Sequence, residues 1–249
     1  MTKTVRSVFF VVSLTILSLG STLAWADDTQ KQHITLDGDK VPVFFNDGDS
    51  FRVVGRHPRP DFKARIGQFN TLESYGPVHR WGEWSARELY KIAKKATDVA
   101  RSGEWTCESR KKDDGTQITD SYGRVLVNCP DLAEALVRQG LAHAFFVDPA
   151  ESVPKLLEVQ AEAKREKRGM WAKGAPDTIM TSVHSADENK DSSSWKAYNR
   201  VVDTNTGLTQ KVEHTRNFGS CEEVCEGPSC LTYVPFQNRY GDRRAECLR

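Results

Sequence analysis

The chain has 249 residues, with 35 Lys+Arg against 34 Asp+Glu, enough for one domain of ordinary size plus something smaller. That near-neutral balance excludes the broadly basic surface of a general polynucleotide binder, so any contact with nucleic acid has to come from a local patch.

The chain opens with a positive segment (Lys3, Arg6), an apolar run from Val8 to Leu19 and the small-residue motif Ala24-Trp25-Ala26. This is the pattern of a secretory signal peptide over residues 1–26. The run falls short of the roughly 20 apolar residues that a spanning helix needs, and no later stretch is more apolar, so no stable membrane insertion is expected. Cleavage would remove Lys3 and Arg6 and no acidic residue, leaving a mature chain still close to neutral. Export, to periplasm or medium, bears on the six cysteines at 107, 129, 221, 225, 230 and 247. An even number of them in an exported chain favours disulfides over free thiols.

After a polar lead-in, Val41–Phe45 and Ser50–Val54 flank Asn46-Asp47-Gly48. Asp-Gly between apolar runs predicts a hairpin. A further strand is expected over Phe62–Phe69. A helix comes next over about Glu83–Ala100, with Trp84, Leu89, Ile92, Ala93 and Ala96 near one face. Trp105–Ser109 and Arg124–Cys129 read as a second, long hairpin, stapled by a Cys107–Cys129 disulfide. Asp131 opens a second helix, with Glu134 in a capping-box spacing and Gly140 as its stop. Leu141–Val147 is apolar again, and a third helix runs from about Val153 to Arg168.

Strands first, a helix inserted among strands and helices at the end predict an α+β domain with a small barrel over residues 27–175. Residues 176–194 read as a polar linker. Residues 195–249 are too few for a sizeable core and hold Cys221, Cys225, Cys230 and Cys247, which predicts a disulfide-rich C-terminal module. An all-cysteine zinc site is the competing reading of those four, but their spacing lacks the close C-x2-C pairs such sites favour.

Three segments carry charge that a plain strand or turn does not need: Asp47-Gly48-Asp49-Ser50, Ala64–Glu73 and Asp120-Ser121-Tyr122-Gly123-Arg124. Arg65 sits in an apolar run, with Asn70 and Glu73 close behind. Arginines suit phosphate through their fixed, always charged fork of donors. Carboxylates can hold a hard cation or take a proton from water. Together they are the parts of a phosphodiester-cleaving site.

These motifs, with Glu134–Ala142 and the closing Lys164…Lys167-Arg168-Gly169-Met170-Trp171, occur in an order and spacing that resembles the staphylococcal-type (thermonuclease-like) nucleases over residues about 34–172. The resemblance implies an OB-fold, a five-stranded barrel with three helices, and a calcium-dependent phosphodiesterase. It implies Asp49, Asn70 and the Thr71 carbonyl as Ca2+ ligands, and Glu73 as general base. Arg65 and Arg124 would be the phosphate clamp, with Tyr122 beside the nucleotide and Phe146 packing on a base.

Two positions depart from the family pattern. Asn70 stands where an aspartate is usual, removing one negative charge from the cation site, and Leu72 replaces a proline whose fixed φ would help aim Glu73. The expected function is an exported, metal-dependent nuclease acting on DNA, with RNA left open as a second substrate, working as a monomer. The alternative is a catalytically inactive OB-fold module that holds nucleic acid without cutting it.

Overall fold

In the computed structural model, residues 32–55, 61–189 and 195–249 are described. The signal-peptide reading lies outside them. Among the described residues no helix is long and apolar enough to cross a membrane.

Alternation of apolar and polar residues builds the first strands: β1 (Gln32–Leu36), β2 (Asp39–Asp47), β3 (Ser50–Val53) and β4 (Phe62–Ile66). Ile34, Leu36, Val41, Val43, Phe45, Phe51, Val53, Ala64 and Ile66 all point inward and are buried. The predicted Asp-Gly hairpin is the β2–β3 connection. The strand expected over Phe62–Phe69 breaks at Gly67-Gln68, where Gln68 takes φ 73°. Beyond the break, β5 (Gln68–Thr71) leaves β4's line and pairs instead with β9 (Ala142–Phe145). This kink sets Arg65 on one strand and Asn70 and Thr71 on another.

After β5 come β6 (His79–Trp81) and helix α1 (Ala86–Ser102), started by a Ser85–Glu88 capping box. Helix α1 buries Leu89, Ala93, Ala96, Thr97 and Ala100. The second hairpin is β7 (Thr106–Ser109) with β8 (Val125–Asn128), and the barrel closes in the order β1-β2-β3-β4-β8-β7. It therefore has six strands where five were expected, within the expected α+β barrel class. The Cys107–Cys129 disulfide forms. Helix α2 (Pro130–Arg138) begins at Pro130, without a side-chain cap. Asp131 instead accepts from Thr106 N, and Glu134 pairs with Arg138. Helix α3 (Pro154–Arg165) completes the three.

The C-terminal region departs further from expectation. Thr178–Ser182, inside the stretch read as linker, is a strand, β10, in a sheet with β11 (Ala197–Asp203) and β12 (Thr209–His214). The last hairpin, β13 (Glu223–Glu226) and β14 (Ser229–Thr232), adds β6 as its third strand. Ile179 and Val202 share one apolar cluster with Leu72, Trp81, Leu89 and Trp171. The C-terminal segment thus folds onto the barrel domain, with a small core of its own around Met180, Phe218, Val224 and Tyr233. Its cysteines pair as Cys221–Cys247 and Cys225–Cys230, which excludes the zinc reading of the four thiols.

Candidate active site

The β2–β3 turn brings two aspartates to the kinked strand. Asp47 shapes the turn, its Oδ1 accepting from Asp49 N at 3.3 Å and from Ser50 Oγ at 2.7 Å. Gly48 lets the turn press against its neighbours, because a Cβ there would fall 2.5 Å from Thr71 Cγ2 and 3.0 Å from Ala96 Cβ. Asp49 is then buried, and its Oδ2 accepts from Thr71 N at 2.7 Å and Thr71 Oγ1 at 3.0 Å.

Register places Arg65 opposite Ser50 across β3–β4. Its guanidinium donates to Asp49 Oδ1 with one amino group and to Asn70 Oδ1 with the other. The Asn70 amide donates to the Thr71 carbonyl at 2.8 Å. Asp49 from the β2–β3 turn, Arg65 from β4 and Asn70 and Thr71 from β5 form one hydrogen-bonded unit.

Glu73 comes just after β5, its backbone N–H donating to Nε2 of the buried His79 at 3.1 Å. Burial and the negative charge of Asp49 push its carboxyl up to about 7, against the pull of Arg239, Arg65 and Arg124. Asp47 is driven up to about 8, by burial and then by Asp49. Carboxyls so raised belong to a site with more negative than positive charge in a poorly solvated place.

Arg124 is aimed from the end of β8. Asp120 Oδ2 accepts from its Nε at 2.7 Å, while Asp120 Oδ1 accepts from the backbone N–H groups of Tyr122 and Arg124. Tyr122 is 73 % exposed, with the Arg124 guanidinium 5.6 Å from its ring centre.

The donor set fits a hard divalent cation. Asp49, Asn70 and the Thr71 carbonyl offer only oxygens, and the raised carboxyl of Asp47 beside them marks negative charge that such an ion would relieve. Arg65 engages the same Asp49 and Asn70 oxygens in this structure.

One expected residue does not join the site. Phe146 is wholly buried. Its backbone exchanges hydrogen bonds with Gly207 and Thr209, and a Cβ on Gly207 would fall 2.6 Å from its ring. Covered by the segment before β12, Phe146 presents no face to a base and belongs to the core.

Residues that the sequence did not single out do join it. His79 holds the Glu73 backbone, and Asp47, which a turn alone would explain, adds a third carboxyl. Arg239 comes from the C-terminal segment, and its charge acts on Glu73. No periodicity or spacing connects Arg239 to Glu73, and nothing in the neighbours Val78 and Arg80 marks His79.

Residues 63–173 match the family model described as Staphylococcal nuclease homologue. That span holds Arg65, Asn70, Thr71, Glu73 and Arg124, and leaves out Asp49 and the whole C-terminal segment. Among curated proteins none matches the chain.

Proposed function

With residues 63–173 forming a staphylococcal-nuclease-homologue domain, which supports a nuclease-like function in general, we propose that this chain is an exported, cation-dependent nuclease hydrolysing phosphodiesters of DNA and RNA. The observation that carries the reading is the setting of Glu73, a carboxyl raised to about 7 within the charge fields of Arg65 and Arg124. A base with a pKa near the working pH is suited to proton transfer, since it is available yet still basic.

Glu73 takes the proton from the attacking water. Arg65 and Arg124 stabilise the charge that builds on the phosphate oxygens, a task for which the guanidinium fork is shaped. Asp120 keeps Arg124 from drifting, and His79 fixes the backbone from which Glu73 projects. Asp49, Asn70 and the Thr71 carbonyl would hold the cation, Ca2+ by the hardness of the set, and the ion supplies Lewis-acid polarisation of the phosphate when bound. Arg65 must then exchange its contacts with Asp49 and Asn70 for the substrate. Three disulfides suit an oxidising compartment, which supports export.

The test is digestion of plasmid and of a single-stranded oligonucleotide with millimolar Ca2+, with chelator, and with Glu73→Gln in Ca2+. Calcium-dependent cleavage that falls at least about a hundredfold in the variant is expected. Binding that survives chelator, with no cleavage under any divalent cation, would make the chain a nucleic-acid-binding module instead.

A further inference from the structure

Three of the six exposed large hydrophobic side chains among the described residues stand in one row: Tyr75, Tyr240 and Phe236. Tyr75 and Tyr240 have ring centres 6.3 Å apart, and Tyr240 and Phe236 6.0 Å apart. Scattered single exposures need no explanation, whereas a contiguous row does. Tyr75 lies two residues beyond Glu73, and the other two rings come from the C-terminal segment, outside the span that matches the nuclease family.

Two cations flank the row. Lys94 Nζ lies 5.0 Å from the Tyr75 ring centre, and the Arg239 guanidinium 6.0 Å from that of Phe236. Arg239 is held in place by its Nε, which donates to the Val234 carbonyl at 2.9 Å. Its stem lies against Gly76, where a Cβ would come 2.8 Å from Arg239 Cδ. The row adjoins the candidate active site through Tyr75, whose ring lies against that of Tyr240; burial raises the Tyr240 hydroxyl pKa, Arg239 pulls it back, and the charges of Glu73 and Asp47 raise it further.

Exposed aromatic faces with cations beside them suit unpaired nucleobases. Bases stack on rings without sequence preference while the cations track the phosphates. A paired duplex hides its base faces and gains nothing from such a row. A protein partner would bury the rings but would have no use for their continuity with Glu73.

We propose that Tyr75, Tyr240 and Phe236, flanked by Lys94 and Arg239, form a base-stacking platform through which the C-terminal segment holds single-stranded nucleic acid leading into the active site. This rests on the nuclease reading for its purpose, though not for its binding chemistry.

The test is fluorescence anisotropy in chelator, so that no strand is cut, using the full mature chain. The probes are a labelled single-stranded oligonucleotide, the same strand with abasic sites, and a blunt duplex. Tyr240→Ala with Phe236→Ala should weaken single-strand binding by about a hundredfold, roughly tenfold per ring, with duplex binding changed by less than about twofold. Wild-type protein should bind the abasic strand about as weakly as the double variant binds the normal one. Tyr240→Trp should restore or exceed wild-type binding.

Unchanged single-strand binding in the double variant, or equal loss on strand and duplex, overturns the platform. Preserved circular dichroism is required of each variant, and Tyr240→Trp with unimpaired binding rules out a folding loss as the cause. Ca2+-dependent cleavage by the wild type alongside unchanged binding would sink the platform and leave the nuclease standing. Loss of stacking in the variants of a chain that cuts nothing would do the reverse.

Discussion

Arg239 lies across Gly76, its Cδ only 2.8 Å from where a Cβ would stand, and Gly76 itself holds φ +102°. The barrel domain thus meets the C-terminal segment at a residue three positions after the candidate base. Gly76→Ala would strain the backbone, since φ > 0 disfavours a side chain, and would push the arginine aside. A loss of at least about 1 kcal/mol in urea denaturation is expected, together with a raised KM on single strands. Adding Arg239→Ala should recover only the part due to the clash. Strictly additive effects in that double-mutant cycle would show that the two residues do not interact.

Asn70 gives the cation site a neutral ligand where a carboxylate would attract more strongly. Asn70→Asp should lower the Ca2+ concentration for half-maximal cleavage, by about tenfold if ligand charge governs affinity. Without the cation, the same variant should be less stable than wild type, because it adds a carboxylate beside Asp49. Thermal melts with and without Ca2+ read both effects. An unchanged Ca2+ midpoint would remove Asn70 from the ligand set.

The buried imidazole of His79 is held down to about 3, by burial and then by His143, which itself sits at about 4 because of its burial. A histidine with a folded pKa below its unfolded value of about 6.5 favours folding above that pH. As pH falls from about 6.5, the unfolded chain takes up protons that the folded one refuses, and stability drops. Asp47 and Glu73, raised to about 8 and about 7, act in the opposite sense: their contribution is full below their unfolded pKa and is lost as pH rises through the folded one. The difference between variants therefore isolates the histidine. His79→Gln, which can still accept from Glu73 N, should lose a slope of up to about 1.4 kcal/mol per pH unit between about pH 4 and 6.5. Parallel stability curves for wild type and variant would refute this.

The Cys221–Cys247 bond spans 26 residues and ties down the segment carrying Phe236, Arg239 and Tyr240. Replacing both cysteines by serine should cost about 3 kcal/mol by loop-closure entropy. Limited proteolysis should then cut the C-terminal segment well before the barrel, which keeps its own Cys107–Cys129 bond. Equal protease resistance with and without the bond would mean that packing alone fixes the segment.

Much of the fold is legible from the residues. Alternation through Ile34–Val53 and the Asp47-Gly48 turn lead directly to the barrel hairpins, and the helix expected over about Glu83–Ala100 forms as Ala86–Ser102, burying the expected Leu89, Ala93 and Ala96. The break at Gly67-Gln68 leaves only a one-residue slip in the apolar alternation, from Ile66 to Phe69, which a reading of one continuous strand passes over. Asp47 looks sufficiently explained by its turn. Phe146 and Arg239 escape for one reason, which is that the C-terminal segment folds back. It covers Phe146 through Gly207 and lays Arg239 beside Glu73. Pairing between distant segments leaves no local period, so a polar stretch with four cysteines reads as a separate appendage until its partners are known.

The pairing of β6 with β14 also governs when the site matures. Arg80 on β6 and Glu223 on β13, ion-paired within that same sheet, are 143 residues apart in the chain, and a contact of such separation forms late because its loop-closure cost comes first. A chain emerging from the ribosome can complete its barrel while β6 still has an open edge beside Glu73. Until β14 arrives, that edge can pair with another chain. Slow maturation and edge-to-edge aggregation should therefore concentrate at this one strand.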